Sequence, residues 1–324
     1  MNKDRFYGTL YGQAIGDALG LGTEFMTRQE VGKYYPTGLK QYDQIIQDAH
    51  RSRWEKGDWT DDTDMMLCIA NALADNEGKV DLIKIAKNFK AWFNGTPMGI
   101  GRHTYNVLCM RDYTNDPIKA AEIIWTLYKK RSAANGGLMR TSVVGLLPLN
   151  QQDLIKSAED ICKLTHPDLR CVGSAVIASV VINNLVYHDK EMQYEEIVGF
   201  GRMYDERIEE FISSARNSST VDELSLDGLD QGYTLKTLAA ALWAYWHCNS
   251  FEEGLYAVVN AGGDADTNAA VACAILGAKY GFCSIPQDYV NGMKRKCQLN
   301  EIVSKLYSLY SKHKEPLRVI SMTS

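Results

Sequence analysis

The sequence predicts an all-α fold. Apolar residues recur at i, i+3, i+4 and i+7 in segment after segment of helix length, strand-like alternation is scarce, and only seven prolines interrupt 324 residues joined by short polar connections. The chain opens as a Gly-rich apolar helix that Asp17 is expected to break. Regularity then fails from 28 to 58. The basic and aromatic residues of that segment (Lys33, Tyr34, Tyr35, Lys40, Arg51, Arg53, Trp54) sit between the first helix and an acidic cluster, as in a loop lying over a site. Met65, Met66, Ile69, Ala72 and Leu73 trace one buried face over 65 to 73, and similar periodicity predicts helices near 81 to 93, 118 to 129, 152 to 164, 172 to 186, 235 to 247, 252 to 259, 267 to 280 and 301 to 310. Trp243-Ala244-Tyr245-Trp246 falls at helical spacing and reads as core, not as a base-stacking platform. With no fixed-period repeat and no linker, residues 1 to 312 read as one compact multi-helix globular domain, and 313 to 324 as a frayed tail.

Composition narrows the partners. A net charge of −5 provides no global basic field, which argues against a nucleic-acid partner. Eight cysteines without a CxxC pair read as reduced thiols in a cytoplasmic protein. The N-terminus lacks the form of a secretory signal. The longest apolar runs, 171 to 182 and 269 to 278, are expected to fall short of a membrane span.

Two acidic clusters some two hundred residues apart carry the functional signal: Trp59-Thr60-Asp61-Asp62-Thr63-Asp64 and Gly262-Gly263-Asp264-Ala265-Asp266-Thr267-Asn268. Each places carboxylates and hydroxyls at the start of an apolar helix. In the second, the glycines allow a tight turn and Asp264 is placed to cap the helix beyond. Asp266 exceeds what a cap needs, and the small residues from Ala269 to Ala274 would seat that helix deep in the core with its acidic end facing something polar. In the first, Asp61 and Asp62 diverge by about 100° and so reach two ions on either side. Like charges gathered at a helix start gain from its dipole yet repel one another, and a divalent cation removes the conflict. Independent capping is the plainer alternative, but two such clusters together favour metal. An all-oxygen ligand set suits Mg²⁺ or Mn²⁺, and the His/Cys spacing of a zinc site is absent. To share metals the clusters must meet, which packs the ends of the chain together in one domain.

These motifs and others occur in an order that resembles the ADP-ribosylglycohydrolases. The others are Gly12-Gln13-Ala14-Ile15-Gly16-Asp17-Ala18-Leu19-Gly20, Glu24-Phe25-Met26-Thr27, Asn135-Gly136-Gly137-Leu138-Met139-Arg140 and Thr165-His166-Pro167. The resemblance covers about residues 5 to 282, and Gly16 to Thr27 looks especially like the dinitrogenase-reductase-activating type. It implies an all-α fold around two Mg²⁺ or Mn²⁺ ions and hydrolysis of the bond between ADP-ribose and an acceptor, with an ADP-ribosylated protein as substrate and ADP-ribose as product ligand. By the same resemblance Thr60, Asp61, Asp62, Asp264, Asp266 and Thr267 are the metal ligands. Glu24 lies near the metals as ligand, gate or catalytic group.

Cleaving a glycosidic bond develops oxocarbenium character, which calls for nearby carboxylates and an activated water. The candidate bases are Glu24, Asp61, Asp62 and Asp266. Asn135-Gly136-Gly137, ahead of Met139 and Arg140, offers a Gly-rich nest at a helix start for the diphosphate, and its plain alternative is an ordinary turn. His166 is a ribose contact or a cap for the helix from Asp168. Substrate contact is also expected from Gly99 and Gly101 in the loop Pro97-Met98-Gly99-Ile100-Gly101-Arg102-His103-Thr104, where Arg102 and His103 read as solvated. Arginine-directed relatives typically carry an acid where this chain has Gly99, and its absence argues against arginine-linked substrates unless Glu24 or Asp64 compensates. The alternatives are a non-catalytic ADP-ribose-binding member and a hydrolase of another ADP-ribosyl linkage or of phosphoesters.

Overall fold

The computed structural model describes residues 1 to 312, and the predicted tail lies outside the described residues. Its helices are α1 (Lys3–Gly20), α2 (Arg28–Tyr34), α3 (Asp61–Ala74), α4 (Leu82–Asn94), α5 (Arg102–Cys109), α6 (Pro117–Leu127), α7 (Gln151–Lys163), α8 (Leu169–Asn183), α9 (Tyr194–Arg202), α10 (Arg207–Asn217), α11 (Thr234–His247), α12 (Phe251–Val259), α13 (Ala265–Tyr280), α14 (Gln287–Gly292) and α15 (Lys296–Tyr310). Among the described residues there is no sheet, only two isolated bridges, Met26 with Gly263 and Ala134 with Tyr233. Every helix predicted from periodicity is present. The short α2, α5 and α14 were not legible, nor were α9 and α10, which bury only three residues each and so leave a thin apolar stripe.

The centre of the fold is the antiparallel pair α1 and α13. Gly8, Gly12, Gly16 and Gly20 recur every fourth residue on one face of α1, and they meet Gly277, Cys273, Ala269 and Ala265 in reverse order on α13. A Cβ at any of the four glycines would collide with the facing backbone, so their absence is what lets the helix axes approach. This register brings the C-terminal end of α1 to the N-terminal end of α13. We expect Gly12→Ala to destabilise the protein by about 2 kcal/mol or more, because its Cβ would strike the carbonyl of Cys273, which cannot swing aside. Gly199→Ala on α9, with open space around its Cβ, should be neutral or stabilising by up to about 1 kcal/mol. Urea midpoints compare the two, and equal stability of Gly12→Ala and wild type would contradict the close approach.

Two expectations are corrected. Asp17 does not break α1, which runs on to Gly20. Although fully buried, its carboxylate accepts from the backbone N–H groups of Thr60 and Thr63, both at 2.9 Å, and from the Thr63 hydroxyl at 2.6 Å. Nor does the apolar run from 171 stop short of membrane-spanning length. The helix continues through a π-helical turn to His188, and Leu169–His188 is long and apolar enough to cross a bilayer, yet 89% of the apolar window is buried inside the protein. The two asparagines that follow residue 182 are bonded within the fold: Asn183 donates to the carbonyls of Gly145 and Leu147, Asn184 to that of Val180. Trp243 and Tyr245 are core residues, as their spacing predicts.

Candidate metal centre and substrate cleft

The two acidic clusters meet. Asp17 holds the start of α3 against α1, and Gln13, also on α1, donates to the carbonyl of Asp62 at 3.2 Å. From outside, Arg295 locks the approach to α3. It bonds Asp58 and Asp64 at 2.6 Å each and the carbonyl of Trp59 at 3.0 Å, and lies 4.2 Å over the Trp59 ring. The second cluster is set by Gly262 and Gly263, whose φ values of 73° and 69° lie in the left-handed region; a Cβ on Gly262 would collide with the carbonyl of Met26. That turn pairs with the segment after α1: Phe25 donates to the carbonyl of Gly263 at 2.6 Å and Gly263 to that of Met26 at 2.8 Å. Glu24 is thereby carried to the same place.

The hydroxyl of Thr60 lies 3.3 Å from Asp62 Oδ2 and 3.4 Å from Asp266 Oδ2, so carboxylates from opposite ends of the chain reach one oxygen. Ligand oxygens of Glu24, Asp264 and Asp266 all lie within 4.8 Å of one another. Asp264 occupies the N-cap position of α13, but its side chain makes no capping bond. It accepts instead from Asn135 Nδ2 at 2.6 Å, which corrects the capping expectation.

Burial makes this cluster electrostatically costly. Asp62 and Asp266 are pushed well above the ordinary carboxylate range, first by desolvation and then by their acidic neighbours. Asp61, partly open to the cleft, is raised to about 7 by desolvation and then by Glu24 and Asp17, and Asp264 to about 6 by desolvation and Glu24 despite the Asn135 bond. Asp17 also rises to about 6 through desolvation, against its hydrogen bonds from Thr63 and Thr60. Asp62 Oδ1 and Asp266 Oδ1 are buried with no hydrogen-bond partner. Unpaired buried anionic oxygens beside further carboxylates fit a hard divalent cation.

The cluster forms the floor of a cleft of about 330 Å³. Of the residues expected at the site, Glu24, Thr60, Asp61, Asp62, Gly99, Gly101, Asn135, Gly136, Met139, His166, Asp264, Asp266 and Thr267 line it, whereas Gly137 and Arg140 do not. A Cβ on Gly137 would meet Cys162 Sγ at 2.7 Å, and Arg140 is wholly buried behind the wall. The helix-start nest is replaced by two short 3₁₀ segments, Asn135–Gly137 and Ser142–Leu146, which lack the aligned peptides of a long helix. His166 does not cap α8, since Asp168 does so by accepting from the N–H of Arg170; its buried ring faces the cleft beside Gly136. His103, expected to be solvated, is buried and paired with the carbonyl of Thr165 at 2.9 Å, while Arg102 is exposed at the rim.

The irregular segment does supply part of the wall, through Arg53, Trp54 and a histidine the sequence reading missed. His50 donates from Nε2 to Glu24 Oε2 at 2.6 Å, and Arg53 donates to its Nδ1 at 2.5 Å. His50 lies in a stretch without periodicity, so no pattern marked it. Asp17 was also missed, although a charge inside an apolar helix is itself a signal that partners are waiting. Asp64 cannot serve substrate: Arg295 and the indoles of Trp59 and Trp92 bind it on the far side of α3. A Cβ on Gly99 would stand 3.0 Å from Trp54 Cζ2 and 3.2 Å from Asp61 Oδ1, so position 99 looks directly onto the acidic floor.

Comparison with known proteins agrees with this architecture. An ADP-ribosyl-[dinitrogen reductase] glycohydrolase of Rhodospirillum rubrum is 27% identical, over 91% of this chain and 92% of its own length. The ADP-ribosylarginine hydrolase Tri1 of Serratia proteamaculans is 23% identical, over 94% of this chain and 79% of its own. A solved structure described as an ADP-ribosylglycohydrolase-related protein complex superposes with a TM-score of 0.75 at 26% identity, covering 95% of this chain and 98% of that one. The ADP-ribosylglycohydrolase profile matches residues 1–316, and the chain therefore belongs to the ADP-ribosylglycohydrolase family, enzymes that act on the glycosidic linkages of ADP-ribose.

Proposed function

We propose that this protein is a cation-dependent hydrolase that removes ADP-ribose from a modified protein side chain. The observation that carries the reading is the convergence of Asp62 and Asp266 on Thr60, with Glu24 and Asp264 alongside. Glu24, Thr60, Asp61, Asp62, Asp264, Asp266 and Thr267 would hold two Mg²⁺ or Mn²⁺ ions, which supply Lewis-acid polarisation of oxygen ligands. The remaining chemistry belongs to the chain. Positive charge developing at the anomeric carbon is stabilised by the carboxylate floor. The attacking water bonds to the anomeric carbon as the bond to the acceptor breaks, and its proton goes to one of Glu24, Asp61, Asp62 or Asp266 and from there to the departing acceptor atom. Of these, Asp61 is open to the cleft and Glu24 is held in place by His50. The free cysteines suit a reducing compartment, and we place the activity in the cytoplasm.

The acceptor end of the cleft favours a neutral linkage over a guanidinium. Position 99 offers no acid, Asp64 is turned away, Glu24 is already paired with His50, and the exposed guanidiniums of Arg53 and Arg102 border the rim, repelling a third. With Mg²⁺ or Mn²⁺ present, release of ADP-ribose from serine- or nucleobase-linked substrate should exceed release from arginine by about tenfold, the effect of about 1.4 kcal/mol. Faster release from arginine would reverse the acceptor assignment. No release from any of the three, with ADP-ribose still bound, would replace the hydrolase by a binding module.

A further inference from the structure

Arg140 carries its charge into the core without an anion. The side chain is fully buried, and among the described residues no carboxylate pairs with it. Its guanidinium lies 4.5 Å over the Phe89 ring, reaches Met65 Sδ at 3.8 Å and the carbonyl of Ile161 at 3.4 Å, and makes one short bond, 2.6 Å, to Thr165 Oγ1. A guanidinium donates and never accepts, so Thr165 Oγ1 is the acceptor there and its own hydrogen is left to give. His166 Nδ1 lies 2.7 Å from it. A hydroxyl hydrogen pointing at Nδ1 requires that nitrogen to be bare, which leaves the proton of a neutral ring on Nε2.

The ring is held neutral from every side it faces. Burial lowers its pKa well below the ordinary value, and the neighbouring His103 and Arg140 add to that effect. His103 packs against it from α5, the ring centres 4.6 Å apart and the planes tilted by 42°, with Nε2 donating to the carbonyl of Thr165 and Nδ1 3.0 Å from the hydroxyl of Ser132. His166 Nε2 is buried and has no hydrogen-bond partner. It borders the cleft at Gly136, where a Cβ would come within 2.9 Å of His166 Cε1 and 3.1 Å of Nε2, so only a glycine backbone separates this N–H from the cleft and a side chain there would press on the ring.

We infer that Arg140 and Thr165 are positioning residues that fix His166 as a neutral Nε2–H donor to an acceptor oxygen of the bound ADP-ribosyl group. This rests on the proposed function for the identity of the ligand, but not for the state of the ring. Arg140 lies outside the cleft and acts only through Thr165, which gives its burial without a counter-charge a purpose: it holds the threonine hydroxyl through one lone pair, and Nδ1 of His166 is the one acceptor among its partners for the threonine's hydrogen.

Ring-nitrogen NMR on the ¹⁵N-labelled full chain, without ligand, reads the tautomer of His166. The wild type and Thr165→Ser should show a protonated Nε2 and a bare Nδ1, and Thr165→Val, of the same shape without the hydroxyl, should show a mixture of tautomers. By calorimetry, Thr165→Val should bind ADP-ribose about tenfold more weakly and Thr165→Ser within about threefold of wild type. A proton on Nδ1 in the wild type would overturn the inference, as would a Thr165→Val protein with wild-type tautomer and affinity. Failure of the wild type to bind ADP-ribose at all would count against the functional reading instead, and the ligand-free tautomer would still decide the relay.

Discussion

Asp266→Ala should lower turnover by on the order of 10³-fold or more and weaken divalent-cation binding with it. Asp266 stands where the contributions of both chain ends overlap. One of its oxygens lies within reach of the Thr60 hydroxyl that Asp62 also approaches, and the other is buried without a partner. No nearby side chain can replace it, because the remaining carboxylates already crowd the same floor. The substitution should also stabilise the protein when cations are chelated, since it deletes a buried charge that desolvation and four acidic neighbours disfavour. Gain in cation-free stability together with loss of activity separates a ligand from a residue that merely holds the fold. Turnover comparable to wild type, or calorimetric cation binding of undiminished strength, would defeat the assignment of Asp266.

The second large effect is on stability as a function of pH and cation. Asp17, Asp61 and Asp264 have folded-state values of about 6, about 7 and about 6 against an ordinary 3.8. An acid whose pKa is raised by folding binds more protons folded than unfolded, so its contribution is complete below pH 4 and is lost as pH climbs through 6 to 7. A group carried from 3.8 to about 6 accounts for about 3 kcal/mol, and coupling within the cluster makes the total less than a simple sum. With cations chelated, the melting temperature should therefore fall between pH 5 and pH 8. Surface carboxylates held below their usual range, such as Asp48 and Asp205, act the opposite way but only at lower pH. Millimolar Mg²⁺ or Mn²⁺ should restore most of the loss at pH 8 and flatten the profile. A melting temperature that rises over this window, or that ignores the cations, would show that the cluster is not the electrostatic burden its burial implies.

Much of this was legible because long helices advertise themselves. The strong apolar stripes of α4 and α7 repeat over three turns, α13 is small and apolar all round, and the acidic motifs at the heads of α3 and α13 exceed what helix capping needs. Short helices gave no such signal. α5 was read as loop since its eight residues bury only four, and with that His103 was misassigned to solvent. Side-chain direction was equally hidden. Arg140 and Met139 are adjacent in one motif, yet one turns into the core and the other into the cleft, a difference set by the turn at 138 to 140 between two 3₁₀ segments, which no periodicity encodes. Asp64 was grouped with its acidic neighbours by sequence, and only the distant Arg295 shows that it serves the frame instead of the floor. His50 shows the same limit from the other side, for only its contact with Glu24 marks it, and no pattern in its own segment does.

The embrace of α1 and α13 has a consequence for the order of events in a cell. α13 follows α1 by more than two hundred residues, so α1 must wait for all of the chain between them to be made before its partner exists. Until then the glycine face has nothing to close upon, and Asp61 and Asp62 lack the carboxylates opposite. A polypeptide cut short before α13 lacks Asp264 and Asp266 and cannot complete the acidic floor, however well its earlier helices have formed.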